Sequence, residues 1–190
     1  MTPTSVAELA YVELGVSSLA DWQSYASDVL GLSVKVEDES LLLKMDTSIW
    51  RIKVVETGED DIRCAGFKMA DDASMHNMIE QLNNAGFAVT QASIAETAGR
   101  QVDSLISCQD PFGLRIELFV GDRSSELPFV SPQSVNGFVT GDQGLGHIVL
   151  FVADEQAAVE FYQKGLGFRL SDHITMGPKG HQFNLTFLHC

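Results

Sequence analysis

Five histidines and three cysteines are the side chains in this 190-residue chain best suited to metal or covalent chemistry. His147 is set apart by its surroundings. Read as a strand, Gly146–Val152 puts His147, Val149 and Phe151 on one face and Ile148, Leu150 and Val152 on the other. A neutral imidazole so placed can ligate Fe, Zn, Mn or Ni. It can equally be a hydrogen-bonded core histidine, and periodicity does not separate the two. His173, His181 and His189 are spaced by 8 and 8 residues, which matches no compact zinc pattern; alternation across two strands accounts for them. Glu117 follows the turn Asp110-Pro-Phe-Gly113 and shares a strand face with Arg115 and Phe119. It reads as a partner of Arg115 or as part of a solvated face before it reads as a ligand. Cys64, Cys108 and Cys190 form an odd, widely spaced set without CxxC, which suits a reducing cytosol and offers no zinc framework. No GxGxxG, GxxxxGK[ST], HExxH or GxSxG occurs.

The elements that must position these residues come in a repeat. Three segments, Ser18–Leu30, Asp72–Ala85 and Asp154–Leu166, each begin on a Ser or Asp able to cap a helix and end before a glycine (Gly31, Gly86, Gly167). Their apolar spacing between those marks is helical. A strand-like run precedes each: Leu9–Val16, Cys64–Ala70 and Gly146–Val152. Alternating, β-rich runs follow: Ser33–Val36, Leu41–Met45 and Trp50–Val55, then Ala88–Gln91, Val102–Ser107 and Leu114–Val120, then Arg169–Ile174 and Phe183–Leu188. The unit is strand–helix–strand–strand–strand, complete twice and incomplete once. The expected fold class is α+β, built from tandem βαβββ units.

Aligning the glycines gives offsets of 55 and 136 residues, and the larger sets Leu9, Val16 and Leu30 on Leu145, Val152 and Leu166. The same offsets place Tyr11 and Gly66 where the third unit has His147. A site built from first strands and a late carboxylate would hold Tyr11, Gly66 and Glu117 in the first pair of units, a poor metal site. Residues 1–121 are therefore read as a domain without metal, 122–143, with Pro128, Pro132, Gly137 and Gly141, as a linker, and 144–190 as the start of a second, functional domain. Residues 144–190 are too few to be expected to fold without a partner surface.

Composition narrows the partners. Twelve Lys+Arg against 26 Asp+Glu give a net charge of −14, and no basic cluster exists for phosphate, which excludes nucleic acid and anionic membrane as expected partners. The longest apolar stretch, Ile148–Ala153, is far too short to span a bilayer. A cytoplasmic protein is expected.

The paired βαβββ units resemble the vicinal oxygen chelate superfamily and, within it, the type I extradiol ring-cleavage dioxygenases, in particular members that cleave 2,3-dihydroxybiphenyl. The resemblance rests on Trp50-Arg-Ile, Asp110-Pro-Phe-Gly113, Gly137-Phe-Val-Thr-Gly141, Gln143-Gly-Leu-Gly-His147, Phe161-Tyr162, Leu166-Gly-Phe168, Leu170-Ser-Asp172 and Phe187-Leu-His-Cys190. It implies Fe(II), or Mn(II) in its place, held by two histidines and a glutamate, with a biaryl or bicyclic catechol and O2 as substrates; 1,2-dihydroxynaphthalene is an alternative. It matches His147 to the first metal ligand and Val149, Met176 and Phe187 to the wall of the aromatic pocket, and it implies a homo-oligomer. It places the second histidine, the glutamate and the acid/base histidine beyond Cys190, so the 190 residues by themselves are expected to be inactive. Two readings from other classes stand beside it. One is a metal-free module that sequesters a small ligand. The other is a glyoxalase-like isomerase using Glu13 and Glu117, against which no histidine stands opposite.

Overall fold

The computed structural model describes residues 4–134 and 136–190. The first unit is β1 (Glu8–Val16), α1 (Leu19–Ser24), β2 (Ser33–Glu37), β3 (Ser40–Lys44) and β4 (Ile52–Glu56). The second is β5 (Asp61–Lys68), α2 (Asp72–Asn84), β6 (Thr90–Gln91), α3 (Ile94–Arg100), β7 (Ser104–Gln109) and β8 (Arg115–Val120). The helices start where side chains satisfy orphan amides. Ser18 accepts from the Asp21 amide and Asp71 from that of Ser74, one residue ahead of the expected Asp72. Helix α3 lies between the expected runs Ala88–Gln91 and Val102–Ser107, where Ser93 and Glu96 form a complete capping box.

All eight strands join one sheet in the order β2-β3-β4-β1-β5-β8-β7-β6. Each unit contributes four, and the halves meet where β1 runs antiparallel to β5. Within each half the first strand pairs in parallel with the last, β1 with β4 and β5 with β8. One face carries Leu9, Val12, Phe67, Ile116 and Leu118, buried with Met78 and Leu82 of α2. The opposite face buries Tyr11, Trp50, Leu105 and Phe119. Burying each large side chain of this kind contributes about 1.5–3 kcal/mol.

The connection after β8 lies along the first two units. The Ile49 amide donates to the Arg123 carbonyl and the Ser125 amide to that of Thr47. At its end the Leu145 amide donates to the Leu9 carbonyl at 2.8 Å. Gly144, at φ +63°, is required there, because a Cβ would lie 2.3 Å from the Leu9 oxygen.

The third unit contributes α4 (Glu155–Glu160), β9 (Arg169–Met176) and β10 (Phe183–His189). Its helix continues as a π turn over Phe161–Gly165, and α1 does the same over Tyr25–Val29. The two π turns are 136 residues apart, the offset read from the glycines, so backbone geometry repeats independently of residue identity. Helix α4 has its partner surface on the first sheet: Phe161, Tyr162 and Leu166 enter the α2 core, and Phe67 meets Phe168 edge to face. Gln81 Nε2 donates to the Gly165 carbonyl at 3.0 Å.

One expected strand does not form. Gly146–Val152 keeps its alternation, with Ile148 and Leu150 against the core and His147, Val149 and Phe151 outward. Its backbone pairs with no strand among the described residues, and a strand exists only through such pairing. Strands β9 and β10 form a separate two-stranded sheet. No described helix is long and apolar enough to cross a membrane.

Candidate functional site

Sheet register assembles a site in the first two units from the residues that the repeat singles out. Tyr11 pairs with Gly66, and Gly66 pairs with Glu117. Gly66 has no side chain because the Tyr11 ring lies over it; a Cβ would sit 2.2 Å from ring carbons. The Tyr11 hydroxyl donates to Glu117 Oε2 at 2.6 Å. Arg115 Nε donates to Oε1 at 2.8 Å, as the shared face predicts.

Sequence reasoning missed the remaining partners. Arg100, at the end of α3, donates through Nε to Glu117 Oε2 at 2.8 Å. Its Nη2 lies 3.0 Å from Glu13 Oε2 on β1. Arg123 stacks over Trp50 at 4.2 Å and Tyr11 at 4.5 Å, and donates to the carbonyls of Arg100 and Trp50. The legible signal was the Ser93–Glu96 capping box, which marks α3 and hence delivers Arg100.

The charges answer one another. Burial alone would raise the Glu117 carboxyl; the hydrogen bond and charge of Arg100, with Tyr11 and Arg115, hold it at about 2. Burial would lower Arg100, but Glu117 keeps it above the ordinary guanidinium range. Burial and the Glu117 charge push the Tyr11 phenol well up, so it stays a neutral donor. Burial, with Arg51 and Arg100 close by, brings Arg123 down to about 10.

The third-unit residues lie in a different setting. His147 is exposed, as are Val149, Met176 and Phe187. The β9–β10 register sets Met176 and Phe187 on one face of the hairpin with Ile174, Phe183 and Leu185. No hydrogen bond or ion pair among the described residues links that face to His147. The opposite, polar face rests on α4: Asn184 and Thr186 donate to Glu155, and His173 Nδ1 lies 3.3 Å from the same carboxylate. His189 pairs with Ser171. His173 and His189 therefore have separate partners, and among the described residues the later histidines form no metal-holding group.

Among the described residues no group of three or more His, Cys, Asp or Glu is placed to hold a metal ion. One imidazole at His147 offers a single ligand, so these residues do not complete a two-histidine, one-carboxylate iron site.

Two family descriptions match the chain: "Dihydroxybiphenyl dioxygenase BphC D1" over residues 9–57, and "Glyoxalase/Bleomycin resistance protein/Dioxygenase superfamily" over residues 144–189. A biphenyl-2,3-diol 1,2-dioxygenase of Metapseudomonas furukawaii is 40% identical over 190 residues, covering 98% of this chain and 62% of the relative. An iron-dependent extradiol dioxygenase of Rhodococcus jostii (strain RHA1) is 33% identical over 177 residues, covering 92% of this chain and 59% of the relative. The crystal structure of a catechol 2,3-dioxygenase superposes with a TM-score of 0.91 at 34% identity, covering 98% of this chain and 64% of that one. The chain thus spans somewhat less than two thirds of the length of the relatives it matches.

Proposed function

The chain belongs to the glyoxalase/bleomycin resistance protein/dioxygenase superfamily, on its extradiol dioxygenase branch, and from that premise we propose that its protein cleaves a biaryl catechol such as 2,3-dihydroxybiphenyl beside the diol, with O2 and iron. The observation that carries the proposal is the likeness to such enzymes along 98% of the chain, in sequence and in backbone. In the same reading His147 is one iron ligand, Val149, Met176 and Phe187 wall the aromatic ring, and Mn(II) is an alternative metal. Residues 1–121 form the domain without metal, 122–143 the linker and 144–190 the beginning of the domain that acts. A cytoplasmic homo-oligomer belongs to the same proposal.

The chain's own contribution is binding and placement. Val149, Met176 and Phe187 offer exposed apolar surface, and covering it with an aromatic ring contributes about 25 cal/mol for each Å² removed from water. His147 is held at the end of a segment pinned by the Leu145–Leu9 hydrogen bond and by Gly144, so its backbone starts from a fixed point.

The test continues the chain through the remaining third of a biphenyl-2,3-diol 1,2-dioxygenase, with and without His147→Ala. Iron content, thermal unfolding and the yellow ring-opened product of 2,3-dihydroxybiphenyl are measured on one preparation. The expected result is loss of iron and cleavage with folding intact. Full iron occupancy and undiminished cleavage in the folded variant would remove His147 from the site. Absence of cleavage in the parent chimera would count against the reaction itself.

A further inference from the structure

We propose that the closed site of the first domain is a cation site whose cation is Arg100, and that this guanidinium keeps divalent metal out of it. The inference stands on the first domain alone and does not depend on the reaction proposed above. Glu13 comes from β1 and Glu117 from β8, the strands on either side of β5. Their carboxylates converge on one atom, with Arg100 Nη2 3.0 Å from Glu13 Oε2 and 3.2 Å from Glu117 Oε1. Two carboxylates from different strands meeting at a point form a hard-oxygen donor pair of the kind that suits Mn(II) or Mg(II). Metal–oxygen distances for such small divalent ions are about 2.1 Å, so each carboxylate would move in by about 1 Å if a metal took the place of the nitrogen.

The repeat supports the same assignment. Tyr11 and Gly66 stand at the positions that match His147 by the offsets of 136 and 55. Here the domain presents a neutral phenol and a bare backbone, neither a strong ligand. Arg100 enters instead, with its guanidinium carbon 5.6 Å from the Tyr11 ring centre and 5.9 Å from that of Trp50. A second observation concerns the charge of the site. Arg123 is 6% exposed, stacks on the same two rings, and has no partner for its Nη2 among the described residues. With Arg115 between Glu117 and Glu96 and Arg63 beside Glu13, four guanidiniums stand with three carboxylates. An added divalent ion therefore meets net positive charge at a partly buried point, where repulsion is screened less than in open water. Exclusion of metal is then a property of Arg100, which supplies the cation at the point of convergence and completes the positive excess.

The probe is Mn(II), followed by its electron paramagnetic resonance signal, in the whole chain carrying His147→Ala so that this imidazole cannot contribute. Arg100→Met keeps an apolar stem and removes the charge. The folded variant is expected to bind one Mn(II) at least about tenfold more tightly than its parent, because affinity follows the number and charge of free ligands. Adding Glu117→Gln is expected to abolish the gain. Binding no tighter than the parent, or a gain that survives Glu117→Gln, would overturn the proposal. If Arg100→Met does not fold alone, Mn(II) is expected to restore folding. A chain refolded by Glu117→Gln and not by Mn(II) would overturn it equally.

Discussion

Tyr11 and His147 occupy the same place in the repeat, 136 residues apart, and the structure gives them opposite surroundings. Tyr11 is fully buried under Trp50, Phe119 and two guanidiniums, and its hydroxyl is tied to a carboxylate. His147 is exposed on a segment whose backbone finds no strand partner among the described residues. The contrast is between a site closed by its own charges and a face left free to meet something else. It shows how equivalent positions of one architecture can carry different chemistry: Glu117 stands at its register position, and Arg100, Arg115 and Tyr11 answer it.

The largest expected effect breaks the closed side. Glu117→Ala leaves Arg100 and Arg115 without their buried partner and should lower stability by about 3–5 kcal/mol, read by chemical denaturation. A loss within experimental error would mean that the network is solvated. The pH dependence carries the same information. The Glu117 carboxyl is held at about 2, below its ordinary 4.5. A depressed value means that its contribution is complete above about pH 4.5 and is lost as pH falls toward about 2. Glu117→Gln should lack that slope between the two values.

Gly66→Ala comes next. Its Cβ would sit 2.2 Å from the Tyr11 ring, and forced overpacking of this kind costs about 1–3 kcal/mol. On a Tyr11→Leu background the loss caused by Gly66→Ala should be smaller than in the parent chain; equal losses on both backgrounds would mean that the ring is not the obstacle. Tyr162→Phe probes the seam between the two regions, where the Tyr162 hydroxyl donates to Asp110 at 3.3 Å. Its removal should cost about 1 kcal/mol, with hydrogen exchange accelerated in α4 while β1 and β5 stay protected.

The smallest effect belongs to the open side. His147→Ala should change stability by no more than about 0.5 kcal/mol, as for an exposed side chain outside any network. In the same chain the β9–β10 amides should exchange before those of β1, β5 and β8, because a two-stranded sheet with an exposed apolar face is the least supported element. A large stability loss from His147→Ala would make it a core histidine, and the comparison would fall.

Much of this is legible along the chain, for local reasons. Caps at Ser18 and Asp154, stops at Gly31, Gly86 and Gly167, and period-two runs act within a few residues, so they can be read before folding. They were sufficient to predict two complete units and to align Tyr11, Gly66 and Glu117, which sheet register then made neighbours. The same signals over-read Gly146–Val152, because alternation records which side chains are buried and says nothing about whether the backbone has a partner.

What the sequence determined by itself was the repeat, the α+β class and the unequal residues at equivalent positions, since each is written in spacing and side-chain type. Only the tertiary structure decided that Glu13, Arg100 and Glu117 meet at one atom and that Arg123 lies across Tyr11 and Trp50. Those residues sit on elements far apart in the chain, and the position of a charge in space depends on every turn between them. No local pattern carries that information, and the energy of a buried charge is set by the partners that the fold brings within reach.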